Sequence, residues 1–191
     1  MLLYIMPTPR ERMVISTALL IREHGAHSTA ISDVLEHSGA PRGSAYHYFP
    51  GGRTQLLCEA VDYAAEFTAR RIADAASSLD AVDVIVDGFR ALLVETDYRA
   101  GCPVVAVAVE ADNPAVLDRA AAAFTRWTDL MVERLTADGV AAERAEELAM
   151  LLTTSVEGAI VIARSTRDVK PLDLIHRQLR ALVRTETGSI S

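Results

Sequence analysis

Between Ser38 and Arg53 the chain gathers Arg42, Ser44, Tyr46, His47, Tyr48 and Arg53. Each of these side chains can donate a hydrogen bond, and the hydroxyls can accept one as well. Ala40, Pro41, Gly43 and Ala45 stand among them and are small. Small residues let a backbone approach a large grooved surface, and Arg42 can then reach a guanine edge or a phosphate. Tyr46, His47 and Tyr48 carry polar tips on flat rings, suited to phosphate oxygens and thymine methyl groups. Arg53 follows two glycines whose amides open the next helix, which suits a phosphate electrostatically. Phe49 reads as core. The chemistry on offer is recognition of nucleic acid.

Other chemistries find little support. No Ser-His-Asp, paired-carboxylate or dinucleotide-binding pattern is present. GGRT resembles the end of a phosphate-binding loop, but His47 stands where the upstream glycine belongs, and the lysine is missing. The pair His24 and His27 in HGAH is a weak metal signal, and His24, His27 and His37 read as solvated helix-end residues. The sequence implies neither a metal nor a cofactor. Cys58 and Cys102 lie 44 residues apart without a CxxC, which fits a reduced compartment better than a disulfide framework. Cys102 before Pro103 reads as a small buried thiol, with a redox sensor as the alternative.

Helices must position the donors. Thr8-Pro9-Arg10-Glu11 has the form of a helix entrance, with Thr as N-cap, Pro at N1 and Glu closing a capping box. Val14, Ala18 and Ile21 follow at helical spacing until Gly25. Ser28-Thr29 is expected to cap a second helix bearing Ile31, Val34 and Leu35, stopped by Gly39. A third is expected from Ala40-Pro41 to about Phe49, where Pro50-Gly51-Gly52 ends it. The tight turn between the last two makes a helix-turn-helix.

Beyond it the pattern predicts six longer helices. They run from Arg53 to about Ala76, from an Asp80 N-cap through Leu93, and from Pro103 in GCPVVAVAVEAD, whose β-branched apolar run leaves a buried strand as the alternative to the buried helix preferred here. The last three run from Asn113-Pro114 to about Asp138, from Ala141 to Arg164, and from Pro171 to about Thr185. Half of the residues are hydrophobic but only 5% are aromatic, and Ala, Leu and Val dominate, which favours packed helices. The fold class expected is all-α: a three-helix unit over residues 1–53 and a six-helix unit over residues 54–191.

Charge divides along the same line. Residues 1–53 carry five Arg against four acids, a net +1, and four of the five histidines. Residues 54–191 hold the remaining 14 bases and 22 acids, a net −8, so the total is −7. The first segment tolerates a polyanion and the second repels one. MLLYIM lacks a positive region and is too short for a signal peptide, and Met6 is an alternative start. No run approaches the roughly 20 apolar residues of a membrane span, so a soluble, cytoplasmic protein is expected.

At this point a resemblance becomes specific. TAISDVLEHSGAPRGSAYHYFPGGRTQLL looks like the DNA-binding unit of TetR-type transcriptional regulators. The family's G-x-x-x-G-x-x-Y-x-x-F pattern falls on Gly39, Gly43, Tyr46 and Phe49. Thr29 and Arg53 also match, the family usually having Lys at the second. PGGRT and the later GCPVVAVAVEAD are similar to the LmrA/YxaF-like branch. The resemblance implies an all-α homodimer binding a double-stranded DNA operator, with Thr29, Arg42, Ser44, Tyr46, His47, Tyr48 and Arg53 as contacts. Pro41 departs from the Ser, Thr or Lys usual in the family and removes a donor.

The resemblance further implies a small-molecule effector pocket in the larger domain and a dimer interface on its last two helices. Phe67, Phe89, Leu92, Cys102, Val105, Phe124, Trp127, Met131 and Glu157 belong to its central helices. From sequence alone they are core residues, and a ligand among them would be mostly apolar. Glu157 is the one charge in a long apolar stretch, placed either in that pocket or at the dimer interface. The reading is a ligand-released repressor. A helical adaptor, a constitutive DNA-binding protein and a helical enzyme are the alternatives, the enzyme lacking any nucleophile–base pair.

Overall fold

The computed structural model describes residues 7–188. Among them it has nine α-helices and no strand: α1 (Pro9–His24), α2 (Ile31–Ser38), α3 (Ser44–Tyr48), α4 (Gly52–Ala73), α5 (Ser78–Glu95), α6 (Pro103–Glu110), α7 (Pro114–Ala137), α8 (Ala142–Thr166) and α9 (Lys170–Glu186). The all-α class is as expected. The expectation about a start at Met6 lies outside the described residues.

Several helix ends follow directly from local chemistry. The Thr8 hydroxyl accepts the Glu11 amide at 3.2 Å, and the Glu11 carboxylate accepts the Thr8 amide at 2.7 Å, closing the capping box. Gly39 ends α2 in the left-handed conformation at φ 66°, which a side chain would resist. The Asn113 side chain accepts the Ala115 amide at 3.0 Å where α7 begins. PVVAVAVE is helical, as expected against its β-branched composition.

Three expectations are corrected. Ala30, not Ser28-Thr29, is the N-cap of α2. The Thr29 hydroxyl turns back to the Gly25 carbonyl at 2.8 Å, while the Asp33 carboxylate accepts the Ala30 amide at 3.3 Å. The third helix is shorter than expected: Pro41, Arg42 and Gly43 form a turn, and α3 begins only at Ser44. Ser77 rather than Asp80 caps α5, its hydroxyl accepting the Asp80 amide at 3.1 Å.

The chain divides into two compact units, residues 1–64 with 103–120, and residues 65–102 with 121–191. This differs from the expected boundary at residue 53. α6 packs on α1 with Val104 and Val107 buried, so a segment distant in sequence joins the first unit. The core of the first unit gathers Met13, Val14, Val34, Ala40, Ala45, Phe49 and Leu56. In the second, α9 packs on α5 and α8. Asp83 of α5 meets His176 at 2.7 Å and pairs with Arg180, and Arg90 pairs with Asp173 at 2.8 Å.

Contrary to expectation, α8 is long and apolar enough to cross a membrane by length and composition. It also buries Ala145, Leu148, Ala149, Leu152, Val156, Ala159, Ile160 and Ala163 within its own unit. One apolar side therefore serves an interior. The opposite side exposes Met150, Leu151, Val161 and Ile162.

Candidate nucleic-acid interface and effector cavity

In the first unit, the helix-turn-helix sorts its residues by burial. Phe49 is 1% exposed, and Arg10 lies over its ring at 5.0 Å. Tyr46 is 69% exposed, and Pro41, Arg42 and His47 are exposed beside it. Tyr48 packs partly against the core, its ring edge-on to His47 at 5.2 Å. The outward set is therefore Pro41, Arg42, Gly43, Tyr46 and His47, with Ser44 half-buried.

Three of the expected contacts face inward instead. Ala40 and Ala45 are core residues, because α2 and α3 need small side chains to close on each other. Thr29 is buried and its hydroxyl is spent on Gly25. Ser44 donates its hydroxyl to the Pro41 carbonyl at 2.7 Å, which stabilises the turn and leaves only its lone pairs for a partner.

The arginines are the larger surprise. Arg10 pairs with Glu59 at 2.6 Å. Arg12 donates to the carbonyls of Ser38 and Pro7 at 3.3 and 3.2 Å, holding α1 to the end of α2. Arg53 donates to the carbonyls of Thr29 at 2.9 Å, Ala26, and His27 at 3.2 Å. It clamps the α1–α2 turn while remaining exposed. Arg42 alone among these four makes no hydrogen bond or ion pair among the described residues. Glu59, outside the first segment, thus offsets one of its charges, while Arg12 and Arg53 keep their charge but spend donors on carbonyls.

Sequence reasoning missed a second clamp on the same turn. Glu110, at the end of α6, accepts the His27 amide at 3.1 Å. Its carboxylate fills the space a side chain would need at Gly25, where a Cβ would lie 2.3 Å from it. Gly25 has φ 86°, so its lack of a side chain is demanded twice. No local pattern signals a partner 83 residues away.

In the second unit, α4, α5, α7 and α8 enclose a cavity lined by Thr68, Ile72, Ala81, Val82, Ile85, Phe89, Trp127, Met131, Leu152, Thr153, Val156 and Glu157. Its enclosed volume is about 50 Å³, within about 460 Å³ of free space that includes the open mouth. Trp127 is fixed by donating its indole N–H to the Ala65 carbonyl at 2.9 Å. Glu157 Oε2 is shut off from solvent and has no hydrogen-bond partner, although the residue as a whole is only partly buried. Burial pushes this carboxyl up to about 7, against a smaller opposing effect of the Cys102 thiol hydrogen-bonded to it.

Phe89, Trp127, Met131 and Glu157 are thus brought together, as expected of a pocket. Five other expected residues are not in its wall. Phe67 is 58% exposed, its ring under Arg71 at 5.8 Å. Phe124 packs edge-on to Trp127 outside the cavity lining. Leu92 lies elsewhere on α5, and Cys102 lies outside the lining, its thiol hydrogen-bonded to the Glu157 carboxyl. Val105 belongs to the first unit with the rest of α6. Of the missed wall residues on α8, Thr153 lies four residues before Glu157 and could have been found by helical spacing, whereas Val156 and Leu152 could not.

Comparison with known proteins decides the family. Residues 16–60 match the model of bacterial regulatory proteins of the tetR family, and residues 78–178 match that of the LmrA/YxaF-like transcriptional regulator C-terminal domain. The chain belongs to the TetR family. An HTH-type transcriptional regulator of Mycobacterium tuberculosis (strain H37Rv) is 60% identical to this TetR-family chain over 188 residues, covering 95% of it and 97% of the relative. LmrA of Bacillus subtilis, an HTH-type transcriptional regulator, is 29% identical over 85% of the chain and 90% of its own length. The crystal structure of a TetR transcriptional regulator from Chloroflexus aurantiacus superposes with a TM-score of 0.75 at 28% identity, covering 93% of this chain and 95% of that one. The matched families and relatives are transcriptional regulators, not enzymes. This protein is accordingly a DNA-binding transcriptional regulator with a helix-turn-helix.

Proposed function

We propose that this TetR-family protein is a cytoplasmic repressor that binds a near-palindromic operator as a homodimer and is released by a small, mostly apolar effector. Residues 1–53 carry DNA recognition; residues 54–191 carry the effector site and the dimer contact. The observation that carries the reading is the outward set of α3 and its preceding turn. Arg42, Tyr46 and His47 project from a rigidly packed helix-turn-helix without an apolar cover. Gly43 adds to it. A Cβ there would meet nothing within 4 Å, and its φ of −84° suits any residue. Nothing inside the fold demands glycine at that place, whereas close approach to DNA would.

An exposed face of α8 supports the dimer reading. Leu151, Val161 and Ile162 are exposed along one side with Gly158 between them, where a Cβ would meet open space. An apolar stripe interrupted by a small residue suits a second helix at close range. A twofold pair would set two α3 helices roughly 34 Å apart, one DNA turn. Leu152, Val156, Ile160, Leu172 and Leu179, also on the last two helices, are buried within the chain and do not contribute to this face. α4 supplies the link for release: residues 52–64 belong to the first unit and the rest to the second, in one uninterrupted helix. A coupling of about 1–3 kcal/mol along it would change operator affinity roughly 5- to 150-fold.

The test is fluorescence anisotropy on DNA taken from upstream of the protein's own coding sequence, read against a scrambled duplex. Salt-dependent, sequence-selective binding by a dimer is expected. Binding no stronger than to the scrambled duplex across such regions would leave a helical adaptor.

A further inference from the structure

Among the described residues of the second unit, two side-chain polar atoms are buried without a hydrogen bond: Arg134 Nε, whose guanidinium is anchored elsewhere by donating to the Ala75 carbonyl at 3.0 Å, and Glu157 Oε2. Glu157 Oε2 is shut off from solvent without a hydrogen bond, on a residue that lines a cavity otherwise walled by aliphatic and aromatic groups and two threonines. Leaving a carboxyl oxygen enclosed and unpaired is costly. The cavity wall holds no lysine, arginine or histidine to pair with it. Its one assigned neighbour is the Cys102 thiol, a weak donor.

We infer that the cavity receives a small lipophilic amine, whose ammonium group hydrogen-bonds to Glu157 while its apolar body lies among Val82, Ile85, Phe89, Trp127 and Met131. The inference rests on the effector-site reading above and adds the chemical class. Size agrees with it. The enclosed 50 Å³ holds a polar end of a few heavy atoms, and the apolar remainder must occupy the open mouth or widen the cavity. Charge agrees as well. An anionic ligand would meet an acid with no cation beside it. A neutral alcohol would supply one neutral hydrogen bond, weaker than the charge-assisted bond of an ammonium to a carboxylate.

Protonation explains how the fold tolerates the residue. With its carboxyl held up near 7, Glu157 is largely neutral in mildly acidic solution. An entering ammonium takes the place of that proton, which leaves for solvent, and the charge on the ligand then compensates the carboxylate. The Cys102 thiol is the other titratable group placed against it.

The experiment uses the full chain and its single tryptophan, Trp127, which lies in the cavity wall and reports binding by fluorescence. Phenethylamine, 2-phenylethanol and phenylacetate share a ring and short linker but differ in the polar end. At pH 7.5 phenethylamine should bind roughly 10- to 100-fold more tightly than 2-phenylethanol, the span of a hydrogen bond to a charged group. Phenylacetate should be weakest. Glu157→Gln, which keeps the shape, should bring the amine down to the level of the alcohol and leave the alcohol unchanged. Equal or tighter binding of the alcohol or the acid by the native chain would overturn the inference. So would an amine preference that survives Glu157→Gln, or failure of all three probes to bind at millimolar concentration. Should the variant not fold, the native ranking of the three probes still decides. Operator anisotropy is recorded in the same titrations. Amine-selective binding with unchanged operator affinity upholds the role of Glu157 and removes only the release mechanism.

Discussion

The recognition segment of the first unit and the cavity of the second both display polar side chains on helices, yet water treats them oppositely. Tyr46, His47 and Arg42 stand in solvent, where an unpaired donor costs nothing until DNA replaces its hydration. Glu157 Oε2 has already lost its hydration and has nothing in return. The first region is stable without a partner, and its residues can change without disturbing the fold. The second carries a standing penalty that only protonation or a ligand relieves. Stability and binding should therefore separate cleanly in the first unit and remain coupled in the second.

The largest expected effect tests the separation at its base. Phe49→Ala should cost about 3–5 kcal/mol of stability, because it empties the centre of the helix-turn-helix core. Tyr46→Ala, three residues away, should change stability by less than about 0.5 kcal/mol. Urea denaturation of the two variants compares them directly. Similar losses would mean that the helix-turn-helix does not divide Phe49 and Tyr46 between core and surface.

The next concerns the cavity. A carboxyl raised to about 7 binds its proton more tightly in the folded chain than in the unfolded one. The native protein therefore loses stability as pH rises from the ordinary carboxylate value of 4.5 toward 7, and the loss is complete above that. Gln does not titrate. Glu157→Gln should gain roughly 3 kcal/mol over the native chain between those limits, and the gain should be flat at pH 8. Thermal melts at several pH values check it. A constant difference from pH 4 to 8 would show that the Glu157 carboxyl is not held up by burial.

Two arginines sharpen the comparison within the first unit. Arg42→Ala should weaken operator binding by about 1–3 kcal/mol and leave the melting temperature unchanged. Arg53→Ala should do the reverse of what its position at a helix start suggests. By releasing the carbonyls of Ala26, His27 and Thr29 it should destabilise the chain by about 1–2 kcal/mol, the partly exposed carbonyls recovering some hydration. Its effect on the salt slope of DNA binding should stay below the full unit expected of a phosphate contact. A full unit with no change in stability would restore Arg53 as a phosphate ligand.

The smallest effect is at Glu110. Glu110→Ala removes one acceptor from the His27 amide and should cost about 0.5–1.5 kcal/mol. The loss should appear as faster amide exchange in the α1–α2 turn, while α8 and α9 are unaffected. Exchange unchanged at His27 would show that Arg53 holds the turn alone.

The sequence by itself determined the all-α class, the positions of most helices and the helix-turn-helix, because capping residues, Pro, Gly and apolar spacing act within one or two turns of chain. It also marked Phe49 as core, but not Tyr46 as outward: three residues apart they would share a helix face, and they separate because α3 ends at Tyr48 and Phe49 leaves the helical conformation at its C-cap. Only the tertiary structure decided which cations remain available to DNA. Arg10, Arg12 and Arg53 are tied to Glu59, Ser38 and the α1–α2 turn. It likewise withdrew Ala40, Ala45 and Thr29 from the surface, placed Val105 in the first unit, and left Phe67 in solvent. Helical periodicity specifies a face but not what will cover it. The state of Glu157 depended on the same thing: α8 places it on an apolar side, but its missing partner emerges only when α4, α5 and α7 close around it without supplying a cation.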